Sequence, residues 1–159
     1  MMRINSVRFL RLTIYVIGLF ILLLSIFWLP YVSNDLAVNN PEYAYLRFPL
    51  LFGIYLTVIP FLIALKQGLN LLKQIDKLKA FSEAAVNAIN MIKYCALVIM
   101  IIYLVGIIFL LIQSALHPGI ALIGLMIIFA SVIIFTFAAV LQNLLNNALT
   151  IKSENDLTI

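Results

Sequence analysis

The residues able to do acid–base, metal or nucleophilic chemistry are few and scattered. The chain has one histidine, His117, one cysteine, Cys95, and six acids, Asp35, Glu42, Asp76, Glu83, Glu154 and Asp156. A zinc protease needs two histidines a helical turn apart with a glutamate between them. A nucleophilic triad needs Ser or Cys with a His and an acid, and a phosphate loop needs spaced glycines ahead of Lys and Ser or Thr. None of these can be assembled here. His117 stands in His117-Pro118-Gly119, a turn in which Pro fixes φ and Gly supplies freedom. Cys95 has no activating neighbour and is read as a small packed hydrophobe. The chain is therefore expected to be no enzyme, with no catalytic residue, no metal and no cofactor.

The elements around these residues explain the scarcity. Of 159 residues 65% are hydrophobic and 10% charged, with a mean hydropathy of +1.19. Soluble domains carry about 25% charge and about 45–50% apolar residues. Those proportions exclude a disordered tail, a collagen and a cytosolic enzyme, and a single cysteine excludes an internal disulfide. An integral membrane protein remains.

A bilayer core of about 30 Å is crossed by roughly 20 apolar residues wound as a helix. Four stretches qualify, at about residues 12–30, 48–65, 94–116 and 120–141, and none contains Asp, Glu, Lys or Arg. A charge at the bilayer centre costs about 2.5–3.5 kcal/mol on the insertion scale, so these runs suit a spanning role. They show no period-2 alternation, which argues against barrel strands. The first run follows Arg3, Arg8 and Arg11 as a signal peptide would. It exceeds the usual h-region of about 7–15 residues, no small-residue cleavage site follows, and it reads as a retained anchor.

Orientation follows from Lys and Arg. Arg3, Arg8, Arg11, Lys66, Lys73, Lys77, Lys79, Lys93 and Lys152 fall on one side, nine in all, against Arg47 alone on the other. Positive residues stay in the cytoplasm, so both termini and the middle connection are expected there. The net charge of +4 is then a matter of topology and calls for no nucleic-acid binding. Trp28, Tyr31, Tyr43 and Tyr45 read as an interfacial aromatic belt at the outer ends of the first two spans. Residues 32–46 read as an outer loop, with turn formers at Asn39-Asn40-Pro41-Glu42.

Below the membrane the helical period persists. Leu69, Leu72 and Ile75 share a face opposite Lys66, Asn70, Lys73 and Lys77. Ser82 reads as an N-cap with Glu83 at the first helical position, and Phe81 with Val86 as a hydrophobic staple. Val86, Ile89 and Ile92 continue one face. Leu141, Leu144, Leu145 and Ala148 alternate with Gln142, Asn143, Asn146 and Asn147 in the same manner. The expectation is an all-α, four-helix transmembrane bundle in one domain, 1–159, with the N-terminus and C-terminus inside. Its helices 2, 3 and 4 extend into the cytoplasm over about residues 66–93 and 142–152. Within the spans, Pro60 removes a helical hydrogen bond, and Gly53 with Thr57 and Gly124 with Ser131 offer small packing faces.

Pro41-Glu42-Tyr43, Pro60-Phe61, Asp76-Lys77, Ala80-Phe81-Ser82 and the closing Glu154-Asn155-Asp156-Leu157-Thr158-Ile159 resemble a family of small bacterial four-span membrane proteins, a domain of unknown function. The resemblance covers almost the whole chain. It implies a membrane component of a regulatory pair, because members are often encoded beside a small helix-turn-helix regulator of the Cro/repressor type. It brings no established site residues.

The function expected first is a multi-pass protein of the cytoplasmic membrane that docks such a regulator, through Lys73, Lys77, Lys79, Phe81, Ser82, Glu154 and Asp156. Its partners would be the lipid bilayer, that regulator and a second copy of itself. A small transporter or immunity protein is the alternative, and a structural subunit of a membrane complex is the third.

Overall fold

The computed structural model describes residues 2–76 and 82–156, with side chains from residue 7 to residue 154 outside that gap. The elements are α1 (Met2–Leu23), a π-helical turn (Leu24–Trp28), α2 (Leu29–Asn39), a 3-10 segment (Pro41–Leu46), α3 (Arg47–Asp76), α4 (Glu83–Ile112) and α5 (Pro118–Asp156). Four helices are long and apolar enough to cross a membrane, the first of them running through α1, the π turn and α2. The chain is all-helical among the described residues, as its hydropathy and period require.

Length alone carries the helices past the bilayer. The 39 residues of α5 rise about 58 Å and the 30 of α3 about 45 Å, against a hydrocarbon core of about 30 Å. Helices adjacent in the chain lie side by side: α5 along α4, α4 along α3, and α1 more lightly on α3. Their flanks are almost entirely exposed apolar side chains, Phe9, Phe52, Phe129 and Phe137 among them. Such flanks suit lipid and no aqueous solvent.

One cluster of buried apolar residues sits at one end, while Leu46 and Leu110 are buried singly towards the other. Val86 and Ile89 of α4 and Ala138 and Leu145 of α5 form the cluster, with Leu71 of α3 and Leu141 and Leu149 of α5 packed against it. Three helices therefore pack against one another at this end. Val86 and Ile89 of α4 face the cluster as the period indicated, but α3 packs Leu71 against it in place of the expected Leu69, Leu72 and Ile75, and on α5 Leu144 is 60% exposed where Leu145 is 8%. Helix α4 opens as expected too, with Ser82 in extended conformation and its Oγ accepting from the Ala85 N–H at 3.3 Å. Phe81 and its staple lie outside the described residues.

Two local expectations are corrected, and one feature was not anticipated. First, residues 32–39 form no loop: the first helix continues to Asn39, where Asn40 turns the chain and donates from both its backbone N and Nδ2 to the Leu36 carbonyl. Second, a π-helical turn precedes Pro30. Proline has no N–H to give the ladder, and the register widens so that the Leu29 N–H bonds to the Leu24 carbonyl. Third, the sharp turn between the last two helices is not at His117-Pro118-Gly119. Helix α4 ends at Ile112, and Ser114 takes φ 53°, the sole positive φ of a non-glycine residue among those described. Ser114 N–H bonds to the Leu111 carbonyl and Ala115 N–H to the Leu110 carbonyl, the pair of bonds that closes a helix on a left-handed residue. Gly119 instead lies in the first turn of α5 with negative φ, behind Pro118.

Candidate functional site

At the end holding the buried core, the lysine-bearing surface is built on three helices. Lys66 and Lys73 stand exposed on the outer flank of α3. Asp76 closes α3 and is ion-paired with Arg11 of α1, which ties the first helix to the third. Lys93 of α4 donates to Gln142 Oε1 of α5 at 2.7 Å and lies 5.1 Å from the Tyr94 ring centroid. Lys93 thus joins two helices and is taken out of the free cationic surface. Both ion-bearing contacts hold neighbours together where the helices leave their apolar stretches.

The residues expected to dock a partner fall as follows. Lys73 is exposed, two residues beyond Leu71 of the core. Ser82 is spent as the cap of α4, four residues before Val86, so its hydroxyl already has a backbone partner. Glu154 is exposed on α5, five residues beyond Leu149, and has a partner of its own. Asp156 is the last residue of α5. Lys77, Lys79 and Phe81 lie outside the described residues. The core contacts of Leu71, Val86 and Leu149 place Lys73, Ser82 and Glu154 at the same end of the molecule.

Sequence reading missed the pairs that join helices. Lys93 and Gln142 carried a signal, since both mark the polar exits of two spans joined by a short turn. Arg11 with Asp76 carried none, because the packing of α1 on α3 had to be known first. Tyr45 Oη donating to Gln113 Oε1 at 2.9 Å, across the opposite end, is of the same kind.

No group of three or more His, Cys, Asp or Glu is placed to hold a metal among the described residues. His117 Nδ1 accepts the Gly119 N–H at 3.2 Å and its carbonyl accepts the Ala121 N–H, so it caps α5. Cys95 is buried in α4.

Towards the opposite end, a cavity of about 520 Å³ opens on the flank between α3, α4 and the start of α5. Leu50, Gly53 and Thr57 line it from α3, Gly106 and Leu110 from α4, and Gly124 from α5. Gly53 and Gly106 have nothing near their missing side chains, and they widen the cavity; Gly124 instead lets Ile107 approach the α5 backbone. The small face of Gly53 and Thr57 therefore serves a cavity, and that of Gly124 serves a helix contact.

A family model described as protein of unknown function, DUF2975, matches residues 31–159. The chain belongs to the DUF2975 family. It is also 48% identical, over 156 residues, to the Uncharacterized membrane protein YoaS of Bacillus subtilis (strain 168), a match spanning 97% of this chain and 98% of that protein. No solved structure matches. Four apolar helices in a DUF2975 chain, with a relative of almost equal length named as a membrane protein, make this an all-helical membrane protein.

Proposed function

We propose that this DUF2975 protein is a non-enzymatic regulatory component of the cytoplasmic membrane that docks a small cytosolic helix-turn-helix regulator on its lysine-bearing end. One observation carries the reading: three helices pack together at one end, where Val86, Ile89, Ala138 and Leu145 form a buried cluster with Leu71 against it. A packed end of this kind gives a partner a fixed surface, which exposed apolar flanks do not. The packed end holds Lys66 and Lys73 outward on a fixed scaffold. Positive residues favour the cytoplasm, so the scaffold would face a soluble partner.

Docking would work by sequestration. A regulator held at the membrane is kept from DNA, and a second packing of the helix ends with weaker contacts would release it. Lys73, Lys77, Lys79 and Phe81 would form the contact, flanked by Ser82, Glu154 and Asp156. A transporter or immunity protein is the second reading, favoured by the cavity near the opposite end. That cavity opens on a flank of the helices, which makes it a weaker basis for a path across the membrane.

The test is capture of the tagged protein from native membranes in mild detergent, with mass spectrometry of what accompanies it. Replacing Lys73, Lys77 and Lys79 together with Glu should abolish recovery of a small DNA-binding protein while leaving membrane insertion intact. Equal recovery by both forms would overturn the surface. Recovery of integral membrane proteins alone would turn the reading to a complex subunit.

A further inference from the structure

The cavity between α3, α4 and α5 and the cation above it belong together. From Ile101 to Leu110 the α4 wall rises about 14 Å, close to one leaflet's half of a hydrocarbon core about 30 Å thick. A volume of about 520 Å³ falls within the range of roughly 300–1,000 Å³ typical of sites for small organic molecules. The lining is apolar apart from two hydroxyl residues, and one of these, Thr57, already donates to the Ile54 carbonyl at 2.7 Å. The pocket therefore asks for a hydrocarbon chain.

Arg47 heads the α3 stripe that forms one wall. Leu50, Ile54 and Thr57 follow it at helical spacings of three, seven and ten residues, so all four share a face. The Arg47 Nε is buried without a hydrogen-bond partner, and among the described residues the guanidinium has no acidic partner; its one described contact is the Phe48 ring, 5.4 Å away. The ion pair of Arg11 and Asp76 is at the other end of α3. A guanidinium of this kind matches a phosphate, which can accept two of its N–H groups at once. An apolar slot one leaflet deep, with an unpaired guanidinium at the head of its wall, has the polarity of an amphiphile.

We propose that this groove binds one acyl chain of an anionic phospholipid of the bilayer, with Arg47 holding the headgroup phosphate. The site is independent of whatever docks at the lysine-bearing end. Lipid is favoured over a second copy of the chain because apolar helix faces gain little from each other in a medium as apolar as themselves.

The test is native mass spectrometry of the purified protein after equilibration in an equimolar mixture of phosphatidylglycerol and phosphatidylcholine. The wild-type monomer should retain phosphatidylglycerol over phosphatidylcholine by about tenfold: both lipids offer Arg47 the phosphodiester, but the choline ammonium beside it opposes the guanidinium, at roughly 1.4 kcal/mol. Arg47→Gln should retain both lipids equally. Gly53→Leu combined with Gly106→Leu fills open space, and should lose the retained lipid of either kind. Circular dichroism establishes that each variant is folded; if the double variant is not, the Arg47→Gln comparison decides. No headgroup preference in the wild type, or one unchanged by Arg47→Gln, would overturn the proposal. So would a folded double variant that keeps its lipid, or a wild-type dimer that the leucines dissociate.

Discussion

The Tyr55 hydroxyl donates to the backbone carbonyl of Ser25 at 2.9 Å, across from α3 to the π-helical turn of the first span. That carbonyl is singled out by the sequence around it. Its α-helical donor, the Leu29 N–H, is taken by Leu24, and five residues on stands Pro30, which has no N–H. With no water in a bilayer core, a backbone carbonyl without a donor costs several kcal/mol, so a tyrosine on the neighbouring helix is an apt remedy. The same bond fixes the height of the first helix against the third.

Tyr55→Phe should therefore lower stability by about 1–3 kcal/mol, the usual cost of a buried acceptor left without a donor. Pro30→Ala returns an N–H to the ladder. The double variant should lose clearly less than Tyr55→Phe alone, as thermal unfolding in detergent would measure. Simple additivity would mean that the proline is not what makes the carbonyl dependent on Tyr55.

The turn between α4 and α5 gives the same expectation for opposite substitutions at two positions. Ser114 is left-handed, a conformation that costs an ordinary residue about 1–2 kcal/mol and glycine almost nothing, so Ser114→Gly should raise the unfolding temperature. Gly119 is helical, and a methyl group there would meet His117 at an ordinary 3.5 Å. Gly119→Ala should also raise it, since it adds up to about 1 kcal/mol of helix propensity. Were Gly119 the residue supplying the turn, its replacement would instead destabilise.

Leu145 and Leu144 separate packing from mere apolarity. Leu145→Ala removes a core side chain and should cost about 2–5 kcal/mol, whereas Leu144→Ala, on an exposed flank, should fall within about 0.5 kcal/mol of wild type. Partner capture should fail with Leu145→Ala and persist with Leu144→Ala. Equal effects of the two would remove the packed helix ends as the basis of the proposed surface.

The proposed orientation can be read directly. In a Cys95→Ala background, single cysteines at Asn39, His117 and Lys73 would be exposed to a membrane-impermeant maleimide in intact cells. Labelling should occur at positions 39 and 117 and be absent at 73 until the membrane is opened. Labelling at 73 alone would invert the topology and with it the proposed partner.

Much of this architecture is legible in the sequence because membrane physics writes it in bold terms. Charge-free runs, the Ser82 cap and the return of amphipathic period at Gln142 each reflect a strong local cause, and each has its place in the structure. Residues 32–39 are different: the helix there buries nothing, so no apolar face announces it, and it persists by continuing a ladder already begun. The π-helical turn and the left-handed Ser114 are likewise compromises, one around a proline and one around a helix end, which residue type alone misassigns. At the lysine-bearing end, the polar exits of the spans were legible, but the use of Lys93 to bind Gln142 was not, since pairing depends on which flanks meet. Arg47 was visible as the lone cation of its side, though its unpartnered Nε needed the packing around it.

The most direct test places a photo-crosslinking residue at Lys73 in living cells, with the same residue at Phe129 on the lipid-exposed flank of α5 for comparison. The expected result is an adduct at position 73 with a small soluble helix-turn-helix protein, and none of it at position 129. Adducts at position 73 that contain lipid or integral membrane proteins alone would contradict the docking of a soluble regulator at this end.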